Sequence, residues 1–219
     1  MPKRVLIANR GEIACRIQRT CHRLGIETVA VYSDADANAP HVKAAHASVR
    51  LGPPPVKESY LDGGAIVQAA IATGADAIHP GYGLLSENAT FAAAARAAGI
   101  VFIGPPSTAL EAFGDKIKAR AVARSVGVEP PPGTDGPISP GDEATIQAEA
   151  ARIGFPILVK AAGGGGGIGM QTVDDPAKLA RAVQACSDRG KSAFADERVY
   201  MERWVTTPRH IEVQVFGDD

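Results

Sequence analysis

Aromatic residues and basic charge are both in short supply in this sequence. Aromatics make up 5% of the 219 residues and tryptophan occurs once, too few for the stacking platforms that hold single-stranded nucleic acid. Lys plus Arg total 23 against 24 Asp plus Glu, a net charge of −1, so the basic excess of a nucleic-acid or anionic-membrane surface is missing. No apolar run approaches the ~18–20 residues of a membrane span. Lys3 and Arg4 precede an apolar stretch that stops at Asn9 and Arg10, short of the ~7–15 residues of a signal-peptide core. The protein is therefore expected in the cytoplasm, with neither nucleic acid nor membrane as partner. Cysteine is equally sparse. Cys15, Cys21 and Cys186 form no Cys-x-x-Cys pair and read as reduced, half-buried helix residues.

What is present is ordinary globular material, 45% hydrophobic and 21% charged, in a chain of one or two domains. The first half alternates short apolar runs with helical patterns. Arg4–Ala8 and Thr28–Tyr32 read as strands, with Ile13, Ile17, Cys21 and Leu24 at helical spacing between them. Further strands are expected at Val49–Leu51, Ala75–His79 and Ile100–Ile103, with helices over Gly64–Thr73 and Asn88–Ala98. Such alternation buries a parallel sheet between helix layers. Residues 1–113 thus read as a Rossmann-like, doubly wound α/β domain.

Helix continues from Ser107 to Arg124, re-capped at Gly114-Asp115, and residues 114–131 are read as a linker. Pro and Gly between Glu129 and Gly141 exclude regular structure there. Residues 132–203 then read as a small α+β unit: helix, strand, glycine loop, strand, helix, strand. Arg209–Phe216 alternates, with Ile211, Val213 and Val215 on one face. Residues 204–219 are therefore expected to supply the first strand of an incomplete further subdomain, in a truncated chain.

The strongest chemical signal is Ile157-Leu-Val-Lys-Ala-Ala-Gly-Gly-Gly-Gly-Gly-Ile-Gly-Met170. Consecutive glycines let the backbone approach a ligand without Cβ clashes, and their N–H groups can turn inward on phosphate oxygens. Lys160, ending the preceding strand, is placed to add a point charge. No Gly-Lys-Ser/Thr follows, so the P-loop pattern fails. The turn Ala8-Asn-Arg-Gly-Glu has one glycine where a dinucleotide fingerprint needs three. A glycine lid between two strands remains, the nucleotide-covering arrangement of ATP-grasp enzymes.

With these pieces in order, the chain resembles the N-terminal half of the biotin carboxylases. The resemblance is carried by Ile7-Ala-Asn-Arg-Gly-Glu-Ile13, His79-Pro-Gly-Tyr-Gly-Leu-Leu-Ser-Glu-Asn88, Phe102-Ile-Gly-Pro105, Gly114-Asp-Lys116, the glycine loop, Tyr200-Met-Glu202 and Pro208-Arg-His-Ile-Glu-Val-Gln214. It implies a ligase that uses ATP and bicarbonate to carboxylate biotin on a carrier protein or domain. Mg²⁺ would neutralise the phosphates, and a carboxyltransferase component and a homodimeric parent are also implied. Carried over, Lys116 and Lys160 resemble the two lysines on the ATP phosphates. Gly164, Gly165, Gly166, Gly167 and Met170 belong to the covering loop. Glu202, Arg203 and Val205 match the adenine-end hinge, and His210 a ribose- or phosphate-side contact.

No catalytic or metal-holding residue is expected within the chain, because the family's lie beyond residue 219, so the chain alone is expected to be inactive. Many relatives carry Arg or Lys where Ile168 stands, one cation fewer beside the phosphates. Glu87 and Asn88 are candidate wall residues, Asn88 equally a helix cap, while Asn9, Arg10 and Glu12 read as architectural. Two alternatives stay open: another ATP-grasp ligase, or a non-catalytic nucleotide-binding module.

Overall fold

The computed structural model describes residues 1–162, 169–194, 196–211, 213, 215 and 217. They divide into two compact units, Met1–Gly114 and Asp115–Asp219. Among the described residues, no helix is long and apolar enough to cross a membrane.

The first unit runs β1 (Arg4–Ile7), α1 (Gly11–Arg23), β2 (Glu27–Ser33), α2 (Pro40–Lys43), β3 (Ala47–Gly52), α3 (Gly63–Thr73), β4 (Ala77–His79), α4 (Ala89–Ala97), β5 (Val101–Phe102) and α5 (Ser107–Gly114). Its five strands pair in parallel in the order β3-β2-β1-β4-β5. Alternation along β1 explains the two helix layers. Val5 and Ile7 pack with Ala14, Ile17 and Cys21 of α1, while Leu6 and Ala8 join Ile66 and Phe91 of α3 and α4. Burying each large aliphatic side chain contributes ~1.5–3 kcal/mol. Asp62 and Asn88 cap α3 and α4, each accepting from a backbone N–H at 2.8 Å. Asn88 thus takes the helix-cap role.

The second unit contains α6 (Lys116–Ser125), α7 (Glu143–Ile153), β6 (Ile157–Ala161), β7 (Met170–Val173), α8 (Leu179–Phe194) and β8 (Val199–Arg203). The antiparallel sheet is ordered β7-β6-β8. Ile157, Val159, Val173, Val199 and Met201 bury one sheet face against α7 and α8.

The helix expected from Ser107 to Arg124, re-capped at Gly114-Asp115, is formed by α5 and α6, the latter within residues 114–131. The Pro/Gly stretch before α7 has no helix or named strand, yet it covers the edge of β8. There Thr134 N–H donates to the Met201 carbonyl at 2.8 Å and Ile138 N–H to Val199 at 2.7 Å. Pairing of this kind removes the exposed edge that β8 would otherwise present. Finally, none of the described residues from 204 onward lies in a strand, and Ile211, Val213 and Val215 are 77%, 83% and 81% exposed. The alternate residues of that stretch, 212, 214, 216, 218 and 219, lie outside the described residues.

Candidate functional site

With one face of the β7-β6-β8 sheet buried against helices, alternation assigns the other side chains to the opposite face. Cross-strand partners form two rows there: Met170, Lys160 and Tyr200, then Thr172, Leu158 and Glu202. Met170 is 36% exposed, whereas Leu158 and Tyr200 are buried. A cation therefore stands among apolar side chains, bordered by a carboxylate on the diagonal.

Lys160 Nζ pairs with Glu202 Oε1, and both side chains are largely shielded, at 18% and 15% exposure. Nζ also lies 5.9 Å from the centroid of the Tyr200 ring, within cation–π reach. The second oxygen, Glu202 Oε2, faces Arg120 NH1 of α6 at 3.5 Å. Burial and then the Glu202 charge push the Tyr200 phenol above its ordinary pKa. Sequence reading assigned no role to Arg120, Tyr200 or Leu158. The period-two pattern of β6 and β8 could have placed the last two, but Arg120 reaches the face only through tertiary packing.

Lys116 is the first residue of α6, four residues before Arg120 and so on the same helix face. Asp115 caps this helix, its Oδ1 accepting from Ile117 N–H at 2.9 Å and Lys118 N–H at 3.1 Å. Its Oδ2 binds Arg198 NH1 at 2.9 Å. Burial opposes ionisation of this carboxyl, but the Lys118 amide and the Arg198 guanidinium outweigh it and hold the pKa low.

The remaining expected residues divide. Arg203 points to the opposite face, where NH1 donates to the Ile153 carbonyl at 3.0 Å. Its side chain is therefore not part of the open face, for the alternation that directs Glu202 toward Lys160 directs Arg203 away. The backbone N–H groups of Arg203 and Trp204 donate to Pro132 and Pro156 at 2.7 and 2.9 Å. Val205 follows at 48% exposure, and His210 is exposed. Gly164, Gly165, Gly166, Gly167 and Ile168 lie outside the described residues. Among the described residues, no group of three or more His, Cys, Asp or Glu could hold a metal ion.

In the first unit, the strand order reverses between β1 and β4, the place where open parallel sheets bind ligands. The loops here are tied together. Asn9 Nδ2 donates to the Pro80 and Tyr82 carbonyls at 2.7 and 2.9 Å, and Tyr82 OH donates to Glu12 at 2.7 Å. Gly81 has φ +67°, and a Cβ there would sit 2.8 Å from Asn9 Nδ2. Arg10 is held by Asp36, through Nε at 2.6 Å and NH2 at 2.5 Å. Asn9, Arg10 and Glu12 are thus engaged in fixing loops.

Residues 1–110 match the family model described as biotin carboxylase, N-terminal domain. Residues 115–219 match that of the carbamoyl-phosphate synthase L chain, ATP binding domain. The chain is 50% identical over 216 residues to the mitochondrial methylcrotonoyl-CoA carboxylase subunit alpha of Oryza sativa subsp. japonica, covering 99% of this chain and 29% of that protein. It is 48% identical over 218 residues to the biotin carboxylase of Pseudomonas aeruginosa, covering 100% of this chain and 48% of that one. Among solved structures, a biotin carboxylase–β,γ-ATP complex from Campylobacter jejuni aligns with TM-score 0.90 and 42% identity, over 95% of this chain and 46% of the other. The biotin carboxylase domain dimer of Hydrogenobacter thermophilus 2-oxoglutarate carboxylase, with MgADP, ADP and bicarbonate, aligns with TM-score 0.89 and 40% identity, over 94% and 45%.

Proposed function

The chain belongs to the biotin carboxylase family, and from that premise we propose that its second unit binds the ATP consumed in biotin carboxylation. The nucleotide lies on the open face of β7-β6-β8, with Lys160 and Lys116 on its phosphates. The adenine lies toward Met170 and the hinge at Glu202–Val205, to which Arg203 contributes backbone alone. Gly164–Gly167 cover the phosphates, and His210 serves the ribose or phosphate side. The observation that carries this reading is the Lys160–Glu202 pair set among Leu158, Met170 and Tyr200. A flat, partly apolar ligand fits the floor, and an anion can exchange for Glu202 at Lys160.

We further propose that the whole protein carboxylates biotin on a carrier protein or domain with bicarbonate, giving ADP and phosphate, and supplies a carboxyltransferase component. Mg²⁺ would supply charge neutralisation for the phosphates; no described residue of this chain is assigned to it. The chain contributes phosphate binding and orientation, and turnover requires the residues its relatives carry elsewhere. ADP release from this chain alone that depended on both bicarbonate and biotin would contradict that division of labour.

The binding reading is tested by equilibrium titration of the folded chain with ATP. A charge-assisted contact is worth ~1.5–3 kcal/mol, so Lys160→Ala is expected to raise the Kd roughly 10- to 150-fold. An unchanged Kd in the folded variant removes Lys160 from the site.

A further inference from the structure

Glu202 divides its two carboxylate oxygens between two cations. Oε1 goes to Lys160 and Oε2 to Arg120. Lys160 therefore has an alternative anion to any phosphate, and taking it away uncovers a carboxylate that is only 15% exposed. A shielded charge that loses its partner is strongly destabilising unless another remains. Arg120 supplies that second partner without using the oxygen that Lys160 occupies.

The surroundings of Arg120 fit this task. The residue is 8% exposed, and its NH2 donates to the Pro131 carbonyl at 2.7 Å. Its buried Nε has no hydrogen-bond partner among the described residues, so the guanidinium is not buried to complete its own hydrogen bonds. Room is made for it at Gly133, where a Cβ would lie 2.6 Å from NH2 and 2.8 Å from the Met201 carbonyl. Pro131 and Gly133 belong to the segment that runs along β8, which holds the guanidinium beside Glu202 independently of Lys160.

We propose that Arg120 is a positioning residue for nucleotide binding: it keeps Glu202 neutralised while Lys160 exchanges that carboxylate for phosphate. Lys160 then behaves as a two-position cation, resting on Glu202 in the free protein and released toward phosphate when nucleotide enters. Without Arg120, Lys160 is the remaining counter-ion of Glu202 in this cluster, and phosphate must compete for it. This rests on the phosphate role proposed for Lys160, so the experiment separates the two.

ATP is titrated into the folded chain and its Arg120→Met, Arg120→Lys, Glu202→Gln, Arg120→Met/Glu202→Gln and Lys160→Ala variants. Arg120→Met is expected to raise the Kd at least ~10-fold, with Arg120→Lys recovering most of the loss. With Glu202 neutral there is no charge to compensate, so Arg120→Met in the Glu202→Gln background is expected to change the Kd by less than ~3-fold, a coupling that a purely structural role would not produce. That background comparison stands even where Arg120→Met alone fails to fold. An Arg120→Met protein that binds like the unmutated chain, or an equal loss in both backgrounds, overturns the role of Arg120 while a loss in Lys160→Ala leaves the nucleotide site standing. Full affinity in Lys160→Ala overturns the site reading itself.

Discussion

Replacing Asp36 by Asn isolates one charge in the first unit whose worth can be worked from geometry. Asp36 is 8% exposed and accepts hydrogen bonds from Arg10 Nε at 2.6 Å, Arg10 NH2 at 2.5 Å and Tyr60 OH at 2.6 Å. The Arg10 hydrogen bonds, ahead of opposing burial, hold its carboxyl at about 2 against an ordinary 3.8. At ~1.4 kcal/mol per pH unit, that depression is worth about 2.5 kcal/mol. A carboxyl depressed in the folded state stabilises fully above its unfolded pKa and loses this contribution as pH falls through the folded value. The increment is thus present at pH 7 and disappears between about pH 5 and pH 2. Trp204 is the single tryptophan and lies in the second unit, so its fluorescence follows the wrong part of the chain. Amide hydrogen exchange at Val29, Ala30 and Val31, buried in β2, reports the first unit directly. Asp36→Asn is expected to lower protection there roughly 10- to 70-fold at pH 7, with the two proteins converging toward pH 2. A gap that persists undiminished at pH 2, or none at pH 7, refutes the assignment of this energy to the Asp36 charge.

Two other substitutions test how the loops and helices are held. Gly81→Ala forces a Cβ onto a residue with φ +67° and to 2.8 Å from Asn9 Nδ2, so a loss of ~1–3 kcal/mol is expected; unchanged exchange protection in β1 and β4 would contradict it. Asp115→Ala removes the cap of α6 and the Arg198 partner. Urea unfolding followed at Trp204 should show a loss of ~1–2 kcal/mol, and an unaltered transition would mean that this cap carries no load.

The parallel sheet was legible because β1 and β2 are continuous apolar runs, as strands buried on both faces must be. The face carrying Lys160 was half legible. Alternation around Lys160 and Glu202 is a local pattern, whereas the glycine run expected to cover phosphate lies outside the described residues. Arg120 was hidden because its meaning depends on α6 meeting β8, which no periodicity within α6 encodes. Thr134 and Ile138 were hidden for a related reason. A Pro/Gly-rich stretch that pairs with a strand through isolated bridges reads locally as a boundary.

Three methionines offer a direct view of the proposed nucleotide face. Met170 stands on it beside Lys160, Met201 is buried on the helix side of the same sheet, and Met1 is the exposed N-terminus. With the methionine methyls ¹³C-labelled, titration with ATP should move the Met170 resonance saturably while leaving Met201 nearly fixed. A Met170 resonance that stays in place while ATP binds, with the movement confined to Met201 or Met1, would contradict a nucleotide site on this face.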